Sequence, residues 1–258
     1  MIFRQSIRMT VGTLGVVALC SCARHLSTGE PSLAGPLDPA RQLVVIVSPD
    51  WSATTATLHR FARTGARQGW SPTGSTTPVV LGRTGLAWGD STLASAPGQP
   101  VKHEGDGTSP AGAFPLDTAF GFAPASTMSW VRLPYVTLRP GSDCVDDDAS
   151  IYYNTVVDRS TVPRIDWRSA EHMRQIPPYR LGVIVGYNAA PPKKGRGSCI
   201  FLHIWGGPSS VTAGCSALDA GELESLVRWL DRSQRPMIVQ LPASEYARLR
   251  TRWALPSL

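Results

Sequence analysis

From Leu43 to Pro242 the chain never sustains a long apolar run. Short, β-branched runs such as LVVIVS, PVVL, RLGVIV, CIFLHIW and MIVQLP alternate with breaks rich in Pro, Gly, Asn and Asp. Runs of about four to eight apolar residues closed by turn residues read as strands, because a fully buried strand shows no polar alternation and Pro or Gly ends its pairing. The 24 Gly and 22 Pro among 258 residues act in the same direction and exclude a helical bundle. Heptads and internal repeats are absent, and the length suits one principal core. The fold class expected is mainly β with two or three helices.

Individual elements follow from local pattern. LVVIVSP, closed by Pro49, is a buried strand; TLHRFARTG, with Leu58 and Phe61 on one helical face and Gly65 beyond, predicts a short helix. PVVLGRTGLAWG predicts strand, turn and strand, and KHEGDGTSPAGAF (Lys102 to Phe114) a loop entering another strand. WVRLPYVTLR, IYYNTVV, YRLGVIVGYN and SCIFLHIW add four strand candidates. Leu218, Leu223, Leu226, Val227 and Leu230 recur at helical spacing, with Asp219 as N-cap and Glu222 as its capping-box partner. MIVQLP predicts a late strand and SEYARLRTRWAL a terminal helix or tail.

The N-terminus speaks to compartment. In MIFRQSIRMTVGTLGVVALCSC, Arg4 and Arg8 precede an apolar stretch from Met9 to Leu19, too short to span a bilayer and suited to a signal segment. Leu19-Cys20-Ser21-Cys22 resembles the lipobox of bacterial lipoproteins, which makes Cys22 the expected lipidation site and membrane anchor; ordinary signal cleavage nearby and an uncleaved anchor are the alternatives. The expected organisation is therefore a signal segment over 1–22, a flexible tether over 23–42, and one catalytic domain over 43–258, working outside the cytoplasm in the periplasm or cell envelope. Loss of Arg4 and Arg8 takes the formal net charge from +6 to +4. The basic residues are scattered and interleave with no aromatic run, so nucleic acid is excluded as the expected partner and an acidic polymer fits better.

Cys144, Cys199 and Cys215 remain, an odd number in an oxidising compartment, so one is expected free. Cys215 stands just ahead of the Asp219 helix, where unpaired N–H groups and the macrodipole favour thiolate; a half-cystine with Cys144 or Cys199 is the alternative. His203 lies twelve residues earlier, and strand alternation puts Phe201, His203 and Trp205 on one face. If Gly206-Gly207-Pro208 turns the chain back, the imidazole meets the sulfur and can take its proton, with Gly214 and Cys215 N–H groups near a developing oxyanion. A zinc set of Cys199, His203 and Cys215 has no compact spacing and no fourth ligand.

The stretch His203 to Cys215, with its glycines and Thr212-Ala213-Gly214-Cys215, resembles the L,D-transpeptidases with the YkuD catalytic domain, and KHEGDGTSPAGAFPL resembles a second segment of that family. The similarity runs from about Leu43 to Pro242 and is closest to the branch without a separate peptidoglycan-binding domain, in which CVDD (Cys144 to Asp147) and YYN (Tyr152 to Asn154) also occur. It implies a β-sandwich with the catalytic cysteine just before a helix. The activity implied is acyl transfer on peptidoglycan stem peptides: Cys215 attacks the carbonyl before a D-alanine, His203 serves as base and then acid, and an amine resolves the thioester. No metal or organic cofactor is implied. Trp205, Gly207 and Thr212 become candidate substrate contacts, with Thr212 or its neighbours orienting His203, and Cys144 is expected to pair with Cys199. Ala213 and Ala217 stand where many members carry His and Arg, so the roles of those side chains do not transfer. Hydrolysis on the same fold and a non-catalytic wall-binding lipoprotein are the rival readings.

Overall fold

The fold was obtained as a computed structural model that describes residues 1–2, 35–65, 68–90, 97–189 and 191–258. The chain divides into Met1–Leu33, of which only the first two residues are described, and a packed unit, Ala34–Leu258. Cys22, the signal segment and most of the 23–42 tether lie outside the described residues. At the end of the expected tether, Leu37 and Ala40 are already buried, and Arg63 donates to the Leu37 and Ala40 carbonyls.

The strands are β1 (Gln42–Ser48), β2 (Thr55–Ala62), β3 (Ser71–Pro72), β4 (Thr77–Val80), β5 (Leu86–Trp88), β6 (Ser109–Gly121) and β7 (Tyr135–Thr137). They continue as β8 (Ser142–Val145), β9 (Val156–Asp158), β10 (Ala170–His172), β11 (Leu181–Val185), β12 (Phe201–Ile204), β13 (Ser216–Leu218) and β14 (Met237–Pro242). Two α-helices are present among the described residues, α1 (Ala220–Trp229) and α2 (Ala243–Leu249).

The β-rich expectation holds, and the sheet is more specific than that. The path β1-β14-β6-β11-β12-β13-β4-β2 returns to β1, because β1 pairs β14 in parallel on one side and β2 antiparallel on the other. The two layers of a sandwich are thus joined at both edges into a closed barrel, which leaves those edges with no unpaired backbone. Strand β1 is apolar from Leu43 to Val47 because both its faces are covered, with α2 packed on β1 and β14.

TLHRFARTG is not the helix its Leu58/Phe61 spacing predicts; it is β2. Ala56 and Leu58 are buried at alternate positions, and the backbone is claimed by β1 on one side and β4 on the other. Pairing with two strands outweighs a short amphipathic pattern in a Thr-rich segment. The α1 helix is capped as expected by Asp219, which accepts from the Gly221 and Glu222 N–H groups. Glu222 does not complete a capping box, since its carboxylate accepts from Thr77 Oγ1 at 3.0 Å and ties α1 to β4.

Beside the barrel lies a three-stranded sheet, β10-β8-β9, whose centre is polar. Asp143 is buried there and receives Arg159 Nε at 2.6 Å, Trp167 Nε1 at 2.9 Å and His172 Nδ1 at 2.8 Å. Burial raises its pKa, but these three donors outweigh burial and hold it below the usual carboxylate range. Asp143→Asn is expected to cost about 2 kcal/mol, because Trp167 loses its acceptor while Arg159 and His172 rehydrate. The depressed pKa stabilises the fold above the ordinary aspartate value, and that contribution fades as pH falls through the lowered one. Thermal melts should therefore show the gap between wild type and variant widest at neutral pH and closing in acid.

Candidate active site

Strand β12 separates two environments. Leu202 and Ile204 enter the main core, while Phe201 joins a second cluster with Phe120, Tyr179, Cys144, Cys199 and Cys215. β13 runs parallel to β12 in the register Leu202↔Ser216 and His203↔Ala217, which puts Cys215 level with Phe201 and one same-face step before His203. Local bonds fix the cysteine: its carbonyl accepts from Ser109 Oγ at 2.8 Å and Thr212 Oγ1 at 2.6 Å. Gly214, at φ +155°, makes this turn possible, since an added Cβ would lie 3.1 Å from the Thr108 carbonyl.

Cys215 is the free cysteine among the described residues, and Cys144 is bonded to Cys199. With its sulfur in that bond Cys199 offers no thiolate to a metal, which removes the zinc alternative. The Cys215 Sγ accepts from the Phe201 N–H at 3.3 Å and donates to the Cys199 carbonyl at 3.3 Å. The thiol is pushed up to about 12, first by burial and then by Glu171, against the Phe201 N–H, the Tyr179 hydroxyl and the charge of Lys102. The helix-terminus activation expected for Cys215 is absent: β13 intervenes before α1, so the macrodipole acts more than one turn away.

His203 is buried, and its Nδ1 lies 2.8 Å from the Ile204 carbonyl. A carbonyl only accepts, so Nδ1 carries the proton and Nε2 keeps a lone pair. Burial lowers its pKa, with the Ile204 bond opposing, so the imidazole is neutral at neutral pH. Its orienter is Ile204; Thr212, the expected one, instead accepts from Gly214 N at 3.2 Å and closes the turn. That same bond occupies the Gly214 N–H expected to face an oxyanion. No hydrogen bond joins His203 to Cys215 among the described residues; both line one cavity.

This cavity of about 440 Å³ also takes in Lys102, Glu104, Asp146, Glu171, Tyr179, Trp205, Gly206 and Thr212. Trp205 is half-buried at its wall. Gly207 does not line it, and instead makes a turn whose carbonyl accepts from Ser210 N and Oγ. In the loop before β6, Asp106 accepts from His103 N, Thr108 N and Lys102 Nζ, so the Gly-Asp-Gly turn is structural, as its composition says. Lys102 and Glu104 reach the cavity from the same loop, Glu104 accepting from Tyr153 Oη at 2.5 Å and Ser198 Oγ at 2.8 Å.

Sequence reasoning missed Tyr179 and Glu171. Tyr179 sits in a single 3₁₀ turn before β11, and Glu171 on β10, directly opposite Cys144. Neither carries a local motif. The one available signal was YYN: Asn154 accepts from the Cys199 N–H at 2.9 Å and fastens the disulfide end of the site. Comparisons with protein-family models, with curated proteins and with solved structures each give no match.

Proposed function

We propose that the protein is a cysteine-dependent L,D-transpeptidase of the cell envelope, acting on peptidoglycan stem peptides. One observation carries this reading: a free thiol and a neutral, singly oriented histidine share the wall of one cavity, while the other two described cysteines are locked in a disulfide. A thiol at this position can attack an amide or ester carbonyl, and a neutral imidazole can take up a proton and return it to a leaving or incoming amine. Lys102, buried beside the Gly214 turn, supplies positive charge where an anionic adduct would form. The stem peptide enters as the substrate because the motifs around His203, Cys215 and Lys102 to Leu116 resemble that family. Attachment through a lipid on Cys22 would hold the domain at the membrane facing its polymer.

Disaccharide tetrapeptide incubated with the protein and resolved by mass spectrometry tests the reading. Cross-linked dimer with release of D-alanine is the expected result. Tripeptide alone would reassign the same site to hydrolysis, and neither product together with no covalent carbapenem adduct would remove the enzymatic reading.

A further inference from the structure

Arginines far apart in the sequence gather at one end of the barrel, and it is the end away from the thiol. Thr55 opens β2 opposite Val80, two residues before Gly82, which bridges Thr212 of the active-site turn; Ala62 closes β2 opposite Gln42, where the chain enters the barrel. The two ends of this eight-residue strand lie roughly 25 Å apart. At the Ala62 end, the Arg41 N–H donates to the Gln234 carbonyl at 2.8 Å and the Arg41 carbonyl accepts from Arg63 N at 2.9 Å. Trp70 Nε1 reaches the Ala254 carbonyl at 3.0 Å, and the Arg63 guanidinium lies 4.2 Å from the Trp70 ring centroid. The segments 35–41, 63–70, 232–235 and 252–254 therefore form one surface.

Arg41, Arg232, Arg235 and Arg252 are exposed on these segments, and none of them forms an ion pair among the described residues. The neighbouring acids are matched already, Asp231 facing Arg132 at 3.5 Å and Asp38 adjoining Arg63. A groove of about 590 Å³ crosses the surface, lined by Arg41, Gln42, Arg63, Gln68, Ser71 and Gln234. Arg63 is only 8% exposed; its Nε and Nη2 are spent on the Ala40, Leu37 and Asp38 carbonyls, and its Nη1 has no partner among the described residues. A buried guanidinium with a donor to spare suits an anion that enters the groove.

We propose that this end of the barrel docks on an anionic membrane surface, with lipid phosphates seated on Arg41, Arg232, Arg235 and Arg252 and in the Arg63 groove. The proposal rests on the membrane attachment through Cys22 and not on the transferase chemistry. What favours a membrane over an acidic wall polymer is where the chain enters. Twelve residues, 23–34, separate Cys22 from Gly35, a length with a root-mean-square reach of about 20 Å. So short a tether holds the basic face near the surface at millimolar effective concentration. Each arginine close to an anionic leaflet adds about fivefold to partitioning, so four acting together favour this orientation on the order of 10²-fold. Docked this way, the Cys215 cavity is turned from the bilayer toward the wall. Guanidinium groups keep their charge across the working pH range, so docking weakens with salt and not with pH.

The test is phenylglyoxal labelling of arginines in the full chain, reconstituted in vesicles of phosphatidylglycerol with phosphatidylcholine or of phosphatidylcholine alone and read by peptide mass spectrometry. In the anionic vesicles at about 0.05 M salt, labelling of Arg41, Arg232, Arg235 and Arg252 is expected to fall about threefold or more, and to return at about 0.5 M. Arg139 and Arg164, exposed beside the small sheet, should label equally in both vesicles and serve as the internal reference. Arg232→Glu/Arg252→Glu, a surface change that should leave the thermal melt in place, should remove the protection of Arg41 and Arg235. Equal labelling in the two vesicles, protection that extends to Arg139 and Arg164, or protection by purified peptidoglycan sacculi without protection by anionic vesicles overturns the proposal. The mass of the Cys22 peptide is read in the same digest. Lipid on Cys22 without protection refutes docking alone, and protection with Cys22 unmodified refutes the anchor alone.

Discussion

Replacing Cys215 with alanine is expected to abolish covalent capture of stem peptide or carbapenem and to lower any turnover by about 10⁴-fold or more, because removing a covalent nucleophile removes the route and not merely a contact. The fold should tolerate the change. Cys215 adds a single sulfur to the cluster around Phe201, and its loss leaves the Phe201 N–H without its Sγ acceptor, a cost of about 1 kcal/mol. Cys215→Ser restores an acceptor and should recover much of that stability while staying inactive, since a hydroxyl in this setting is a far weaker nucleophile. Intact-mass detection of the adduct, paired with a thermal melt of each variant, separates chemistry from folding. An alanine variant that still forms the thioester-mass adduct sinks the assignment.

His203 gives a smaller, pH-dependent companion result. Its lowered pKa keeps the imidazole neutral at neutral pH, so activity that needs the Nε2 lone pair should fall only on the acid side of the ordinary histidine range. His203→Ala should cost on the order of 10²- to 10⁴-fold, the usual contribution of a positioned proton carrier, and should remove that acid limb from the rate profile.

The features legible in the chain were local. LVVIVS forms β1, the Asp219 cap begins α1, and alternation puts Phe201 and His203 on one face of β12, since each depends on residues a few positions apart. What needed distant partners was not legible. Leu58 and Phe61 fit a helix and a strand equally well until β1 and β4 bracket β2. The thiol was assigned a helix dipole because Ser216-Ala217-Leu218 is too short to announce itself as a strand, and β12 and β4 are what make it one. Barrel closure depends on β1 meeting β14, nearly the whole domain apart. Tyr179 and Glu171 carry no motif because their meaning arises only where a separate small sheet is fastened against β12.

That fastening is the Cys144–Cys199 bond, and removing it is expected to be the largest single loss of stability available without touching the barrel core. It spans 55 residues of sequence, for which the entropy of an unfolded loop so closed is worth about 4 kcal/mol. For a domain of this size the loss corresponds to a fall in Tm of roughly 10 °C. A Cys144→Ser/Cys199→Ser variant and the chemically reduced wild type should melt together, below the oxidised chain. The effect should reach the site as well. Cys199 sits at φ +55° with its N–H on Asn154 and its carbonyl on the Cys215 thiol, while Cys144 faces Glu171, so the bond ties both ends of the thiol's hydrogen-bonded surroundings to one covalent link. Without it the β10-β8-β9 sheet keeps its own pairing and the Asp143 donors, but loses its covalent tether to β12. Reactivity of Cys215 near neutral pH should then fall before global unfolding begins, a separation that melts and alkylation rates on one sample would resolve. Equal melting of oxidised and reduced chains, or peptide maps linking Cys215 to either partner, would remove the disulfide from this role.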